Sequence, residues 1–292
     1  MSSESQKTIK NQISCSGVGI HSGNRVEMVL KPAKINSGIT FVRTDIEDSK
    51  KGEVKANFRN VTQTNLGTTI ENEFGTKVST IEHFMAGIWG SKIDNLIVEL
   101  NSEEIPIMDG SSEPFIFQIE CAGIEVQEAK KQYIEIVKDV EFKDGDKYIK
   151  AIPCEDFKVD SEIDFDNKAI GRQSCSFDQQ KSSFKFDIAK ARTFGFRNEI
   201  EHLNKMGLAN GGSLKNAILV DDSGVVNKEG LRYDNEFARH KLLDFMGDMF
   251  LAEYGFKGAF KTFKSGHDIN NKFLHHLFSD KSNYEIVPHA AL

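Results

Sequence analysis

His240, Asp244 and Asp248 stand four residues apart in the stretch RYDNEFARHKLLDFMGD, residues 232–248. On a helix they fall in one row, and an imidazole and a carboxylate one turn apart can hold a cation between them. Leu242, Leu243, Phe245, Met246, Met249 and Phe250 spread over the opposite side, so the helix is expected to be largely buried with one narrow polar strip. A solvated polar face fits the same spacing, and two ligands do not complete a metal site. A second chemical pair, Glu82-His83, stands in STIEHFMAGIWG, residues 79–90. Zinc hydrolases use such neighbours as base and ligand. The local pattern favours a quieter role for Glu82, because Ser79-x-x-Glu82 fits a capping box in which the glutamate bonds back to the cap amide.

Other candidates are less specific. His267 reads as a turn histidine after Ser265-Gly266, and His21 in GVGIHSG, residues 17–23, has no assigned role. That glycine-rich stretch leads into a strand rather than a helix, which argues against a phosphate-cradling loop. The four cysteines, Cys15, Cys121, Cys154 and Cys175, lie far apart with no C-x-x-C pair. That spacing suits reduced thiols, so a metal would have to use histidine and carboxylate.

The elements that must position these groups read as two similar halves. Strands are expected at 8–16, 25–31, 39–43, 68–70 and 77–79, then a helix ending near Gly90, a strand at 96–100 and a helix between Ser112 and Gly123. The charged segment 125–131 is the expected boundary. Beyond it a hairpin about Asp144-Gly145 joins 133–142 to 148–152, followed by strands near 159–165 and 182–187, a short helix at 198–206 and a strand at 217–220. The main helix is expected over 235–254 with Gly255 as its stop, then a strand at 258–263, a tight turn and a helix at 269–278. Helix, strand, glycine turn and helix thus close both halves. The expected fold is α+β, with two similar two-layer α/β sandwich domains, 1–126 and 132–292, packed face to face around the active site.

With 292 residues, 28% of them charged and 39% hydrophobic, the chain reads as an ordinary soluble protein of two domains. Its net charge of -7 argues against a nucleic-acid partner, whose phosphates call for basic patches. Residues 1–12 are polar with no secretory pattern, and no run reaches the roughly 20 apolar residues of a membrane helix, so a cytoplasmic protein is expected; a monomer is the expected state.

Seven segments carry a resemblance to a known family: GVGIHSG at 17–23, STIEHFMAG at 79–87, IDNLIVELNSEEIPIMDGSSEPF at 93–115, ARTFGF at 191–196, GLANGGSLKNAILVDD at 207–222, GLRYDNEFARHKLLDFMGD at 230–248 and KSGHDINNK at 264–272. In order and content they resemble the bacterial UDP-3-O-acyl-N-acetylglucosamine deacetylases of lipid A synthesis. The resemblance implies a single Zn2+ held by His83, His240 and Asp244, with Fe2+ as an alternative in the cell. It makes Glu82 the general base and His267 the general acid, kept charged and oriented by Asp248, and Thr193 the donor to the oxyanion. Lys147, Lys241 and Lys264 would face the diphosphate of a UDP-linked acylated glucosamine. Asp164 and Phe165 would meet the uracil end, and a segment opening at Phe194 and running over about 194–214 would form the passage for the acyl chain.

Overall fold

In the computed structural model, residues 5–288 are described here. The ends of the two expected domains at 1–4 and 289–292 lie outside the described residues. Six α-helices occur among the described residues: α1 Ser49–Gly52, α2 Glu82–Gly90, α3 Glu113–Ala122, α4 Arg197–Lys205, α5 Glu236–Met249 and α6 His267–Ser279. Mixed α/β architecture follows from two main sheets, each with its own helices.

The first sheet has five strands in the order Ile13–Val18, Arg25–Pro32, Leu96–Leu100, Ile39–Arg43, Glu53–Lys55. All its pairings are antiparallel except that of Ile39–Arg43 with Leu96–Leu100. Alternation along Arg25–Pro32 buries Val26, Met28 and Leu30, as one covered face requires. The second sheet has seven strands and centres on Gly255–Phe263. That strand lies parallel to Gln132–Ile136 and Phe157–Asp164 and antiparallel to Lys147–Ile152. In both halves, then, the strand after the site helix runs through the middle of the main sheet, and a further helix, α3 or α6, follows it.

Between the sheets lie α2 and α5. Residues 82–88 of α2 are all buried, and so is nearly all of α5. A helix apolar or buried all round belongs in a core rather than on a surface. The two helices approach backbone to backbone at Gly247, where a Cβ would lie 2.1 Å from the Glu82 carbonyl oxygen and 3.1 Å from the Ala86 nitrogen. Glycine permits that approach, and it sets His83 on α2 against His240 and Asp244 on α5.

Two expectations need correction. Helix α5 stops at Met249 and passes through a 3-10 turn, Phe250–Ala252; the reversal is made by Glu253 in the left-handed region at φ 73°, while Gly255 already begins the next strand. Residues expected as a strand at 182–187 instead form a π-helical turn, Phe184–Ile188, because Phe184 and Ile188 are buried together on one side, with Phe184 against Trp89. The charged segment at the expected boundary, 125–131, lies largely in the strand Ile124–Lys130, paired antiparallel with Ser5–Ile9.

Candidate metal centre and active site

At the crossing of α2 and α5, His83, His240 and Asp244 come together, all buried, with one ligand atom from each within 4.8 Å of the others. His83 Nε2 is 3.4 Å and His240 Nε2 3.3 Å from Asp244 Oδ1. His240 Nδ1 is 3.1 Å from the Ala191 carbonyl, which can only accept, so this nitrogen carries the proton and Nε2 is left with its lone pair. Burial also holds His240 neutral, pushing its pKa down to about 3. Burial works against the charge of Asp244 as well, but the Lys241 ammonium beside it prevails and the carboxyl is kept well below its usual range. Lys241 Nζ donates to Asp244 Oδ2 at 2.8 Å, whereas Oδ1 is buried without a hydrogen bond among the described residues. A buried carboxylate oxygen left unmatched is costly. Facing two imidazole nitrogens, it fits a divalent cation of the zinc or iron type.

Glu82 opens α2. The expected capping box does not form: Ile81 is the cap residue, no side chain caps the helix, and Thr80 turns the chain at φ 58°. Ser79 is drawn away to the hydroxyl of Thr69, which donates to it at 3.1 Å. Glu82 is therefore free of the helix start, and its Oε2 accepts from the Thr68 amide at 2.8 Å. Across a gap of 4.0 Å from its Oε1 lies His267 Nε2, at the start of α6.

His267 Nδ1 donates to Asp248 Oδ2 at 2.9 Å. Burial opposes the charge on this imidazole, but Asp248 and then Glu82 prevail, raising its pKa to about 9. It is thus charged at neutral pH. Asp248 is itself held by the Thr68 hydroxyl at 2.6 Å on Oδ1 and the Asn270 amide at 2.8 Å on Oδ2. Thr68 lies in none of the segments quoted above, and Asn270, within 264–272, was given no role there; both contacts depend on packing between distant segments.

A cavity of about 310 Å³ opens onto these groups and is lined by Glu82, His83, Lys147, Thr193, Phe194, His240, Lys241, Asp244 and His267, with Thr64 and Leu66 on the first half's side. Thr193 is pinned through its backbone, whose amide donates to Gly110 and whose carbonyl accepts from Ile218. The neighbouring Arg192 is clamped by buried Glu236 at 2.9 Å. Four residues expected at the site, Asp248, Lys264, Asp164 and Phe165, stand outside the cavity lining. Lys264 is held by Asp146 at 2.8 Å and lies 3.6 Å from Asp164. Phe165 packs on Phe194 at 5.6 Å between ring centroids, which links this group to the cavity rim. Lys241, expected to face a diphosphate, is turned onto Asp244 and lies 5.6 Å from the centre of the Phe194 ring.

A buried two-histidine, one-carboxylate group beside a carboxylate and a charged imidazole, on a mixed α/β frame, has the make-up of a metal-dependent hydrolase site. The sequence profile of the UDP-3-O-acyl N-acetylglycosamine deacetylase family matches residues 6–279, nearly the whole chain. The chain belongs to that family, and it is accordingly a deacetylase of lipid A biosynthesis. Among the described residues no helix is long and apolar enough to cross a membrane.

Proposed function

We propose that the chain hydrolyses the N-acetyl group of UDP-3-O-(3-hydroxyacyl)-N-acetylglucosamine, releasing acetate and the free amine, with one zinc ion per chain held by His83, His240 and Asp244. The observation that carries the reading is Asp244 Oδ1, buried without a hydrogen bond among the described residues and facing two buried imidazoles. When bound, a divalent ion at such ligands supplies Lewis acidity, polarising an amide carbonyl and making water more acidic. Iron(II) suits the same ligands.

The chain's own residues handle the protons. Glu82, fixed by the Thr68 amide, takes a proton from the water as its oxygen joins the acetyl carbon. His267, charged at neutral pH, gives its Nε2 proton to the nitrogen as the C–N bond breaks. The Thr193 hydroxyl donates to the oxygen on which charge develops, a contribution typically worth roughly 3 kcal/mol. Lys147 at the cavity and Lys264 beyond its rim bring positive charge for the diphosphate, Lys241 being held on Asp244, with Asp164 and Phe165 for the nucleoside end. In α4 no residue is buried, and Met206 and Leu214 are exposed. Apolar side chains left uncovered over about 194–214 support an acyl passage there rather than plain core.

We further take the chain as a cytoplasmic monomer of two domains, 1–126 and 132–292, a division supported by main sheets that draw strands from one half each. The test is acetate release from the UDP-linked substrate by Glu82→Gln and His267→Gln variants of verified metal content. The reading requires each to lose at least about 100-fold in kcat, and wild-type turnover in both would end it. Protection of the enzyme by UDP against thermal unfolding checks the nucleotide end.

A further inference from the structure

Thr68 touches both proton-handling systems of the cavity without lining it. It is 2% exposed. Its amide donates to Glu82 Oε2 at 2.8 Å, and its hydroxyl donates to Asp248 Oδ1 at 2.6 Å, a bond between residues 180 apart in the chain. The approach to Thr68 is built for this placement. Leu66 takes the left-handed conformation at φ 61°, a costly one for a branched residue, and its carbonyl lies 3.2 Å from the His21 ring nitrogen Nε2. Gly67 follows, where a Cβ would come within 3.1 Å of Glu82 Oε1.

A carboxylate rotates in a broad, roughly two-fold well about its last torsion, so its orientation depends on its donors. With Oδ1 of Asp248 occupied by Thr68, Oδ2 receives both His267 Nδ1 and Asn270 Nδ2. Without the hydroxyl, Oδ1 loses its one donor among the described residues in a buried site, and the carboxylate can turn away from His267. We propose that Thr68 is a positioning residue that sets the acid and the base against each other across the two halves of the chain. The hydroxyl acts on His267 through Asp248, and the amide acts on Glu82 directly. This inference rests on the roles of Glu82 and His267 given above.

Thr68→Val keeps the shape and the amide and removes the hydroxyl bond, while Thr68→Ser keeps the hydroxyl and removes a methyl. Packing and positioning therefore predict opposite orders. In the full-length, metal-loaded enzyme, Thr68→Val should lower kcat for acetate release by roughly 10- to 100-fold, as loss of a hydrogen bond to a charged group implies. Thr68→Ser should stay within about threefold of wild type, and KM and metal content should be held in both. If Thr68→Val does not fold, Thr68→Ala replaces it, and the same order against Thr68→Ser is required. In a His267→Gln background the further cost of Thr68→Val should fall below about twofold, since the residue acts through the missing imidazole. A neutral Thr68→Val, a Thr68→Ser worse than Thr68→Val, or full additivity with His267→Gln would overturn the proposal. Wild-type turnover by His267→Gln alone would instead overturn the reading beneath it.

Discussion

Replacing Asp248 by Asn tests how this site keeps an acid charged at neutral pH. In the structure the His267 pKa is raised to about 9, with burial opposing the charge and the carboxylates of Asp248 and Glu82 overcoming it. Asp248→Asn keeps the size of the side chain and removes the larger of those two carboxylate effects, so the pKa should fall to the ordinary value near 6.5 or below. At pH 7.5 an imidazole with a pKa of about 9 is roughly 97% protonated, and one of about 6.5 roughly 9% protonated. The variant should therefore lose at least about tenfold in kcat at pH 7.5, and its alkaline limb should move down by about two pH units or more. Stability follows the same group. Its folded-state pKa is raised, so the stabilisation from its protonation is complete below about pH 6.5 and is lost as pH rises through about 9, in total on the order of 3 kcal/mol. Urea denaturation of the wild type between pH 6.5 and 9.5 should show that decline, and Asp248→Asn should flatten it. An alkaline limb left near 9, or moved upward, would refute the reasoning.

Two further substitutions probe the frame rather than the chemistry. Gly247→Ala puts a Cβ against the Glu82 carbonyl where the helices touch through backbone, so it should destabilise by about 1–3 kcal/mol in denaturant titration and weaken metal retention; neutral stability would mean that α2 and α5 are not held this close. Arg192→Ala leaves Glu236, 0% exposed, without its charged partner, and should cost about 3–5 kcal/mol. The same titration checks it, and a change under 1 kcal/mol would remove the pair as the support of the segment between Ala191 and Thr193.

The placement of His240 and Asp244 was legible because helical spacing alone puts them on one face of α5. That His83 joins them was not, since only the close crossing at Gly247 brings α2 to that face, and resemblance to a family supplied the link. Local rules misread Glu82 as a cap because the box assumes helical approach from Ser79, whereas Thr80 adopts φ 58° and delays the helix to Glu82. The end of α5 escaped the glycine rule for a similar reason, with Glu253 making the left-handed turn. At 182–187, alternation suggested a strand, yet Phe184 and Ile188 are buried on one side of a turn. Thr68 carried no signal, because a threonine in a strand-like stretch is ordinary and its partners lie 14 and 180 residues away.

The central claim is that one divalent ion is shared by the two halves of the chain. X-ray anomalous scattering at the zinc edge from crystals of the purified enzyme, with elemental analysis of the same sample, tests it most directly. The account predicts one ion per chain, ligated by His83, His240 and Asp244, and its loss when any one of the three is replaced by Ala. No ion at that position, or full metal content in the His83→Ala variant, would contradict it.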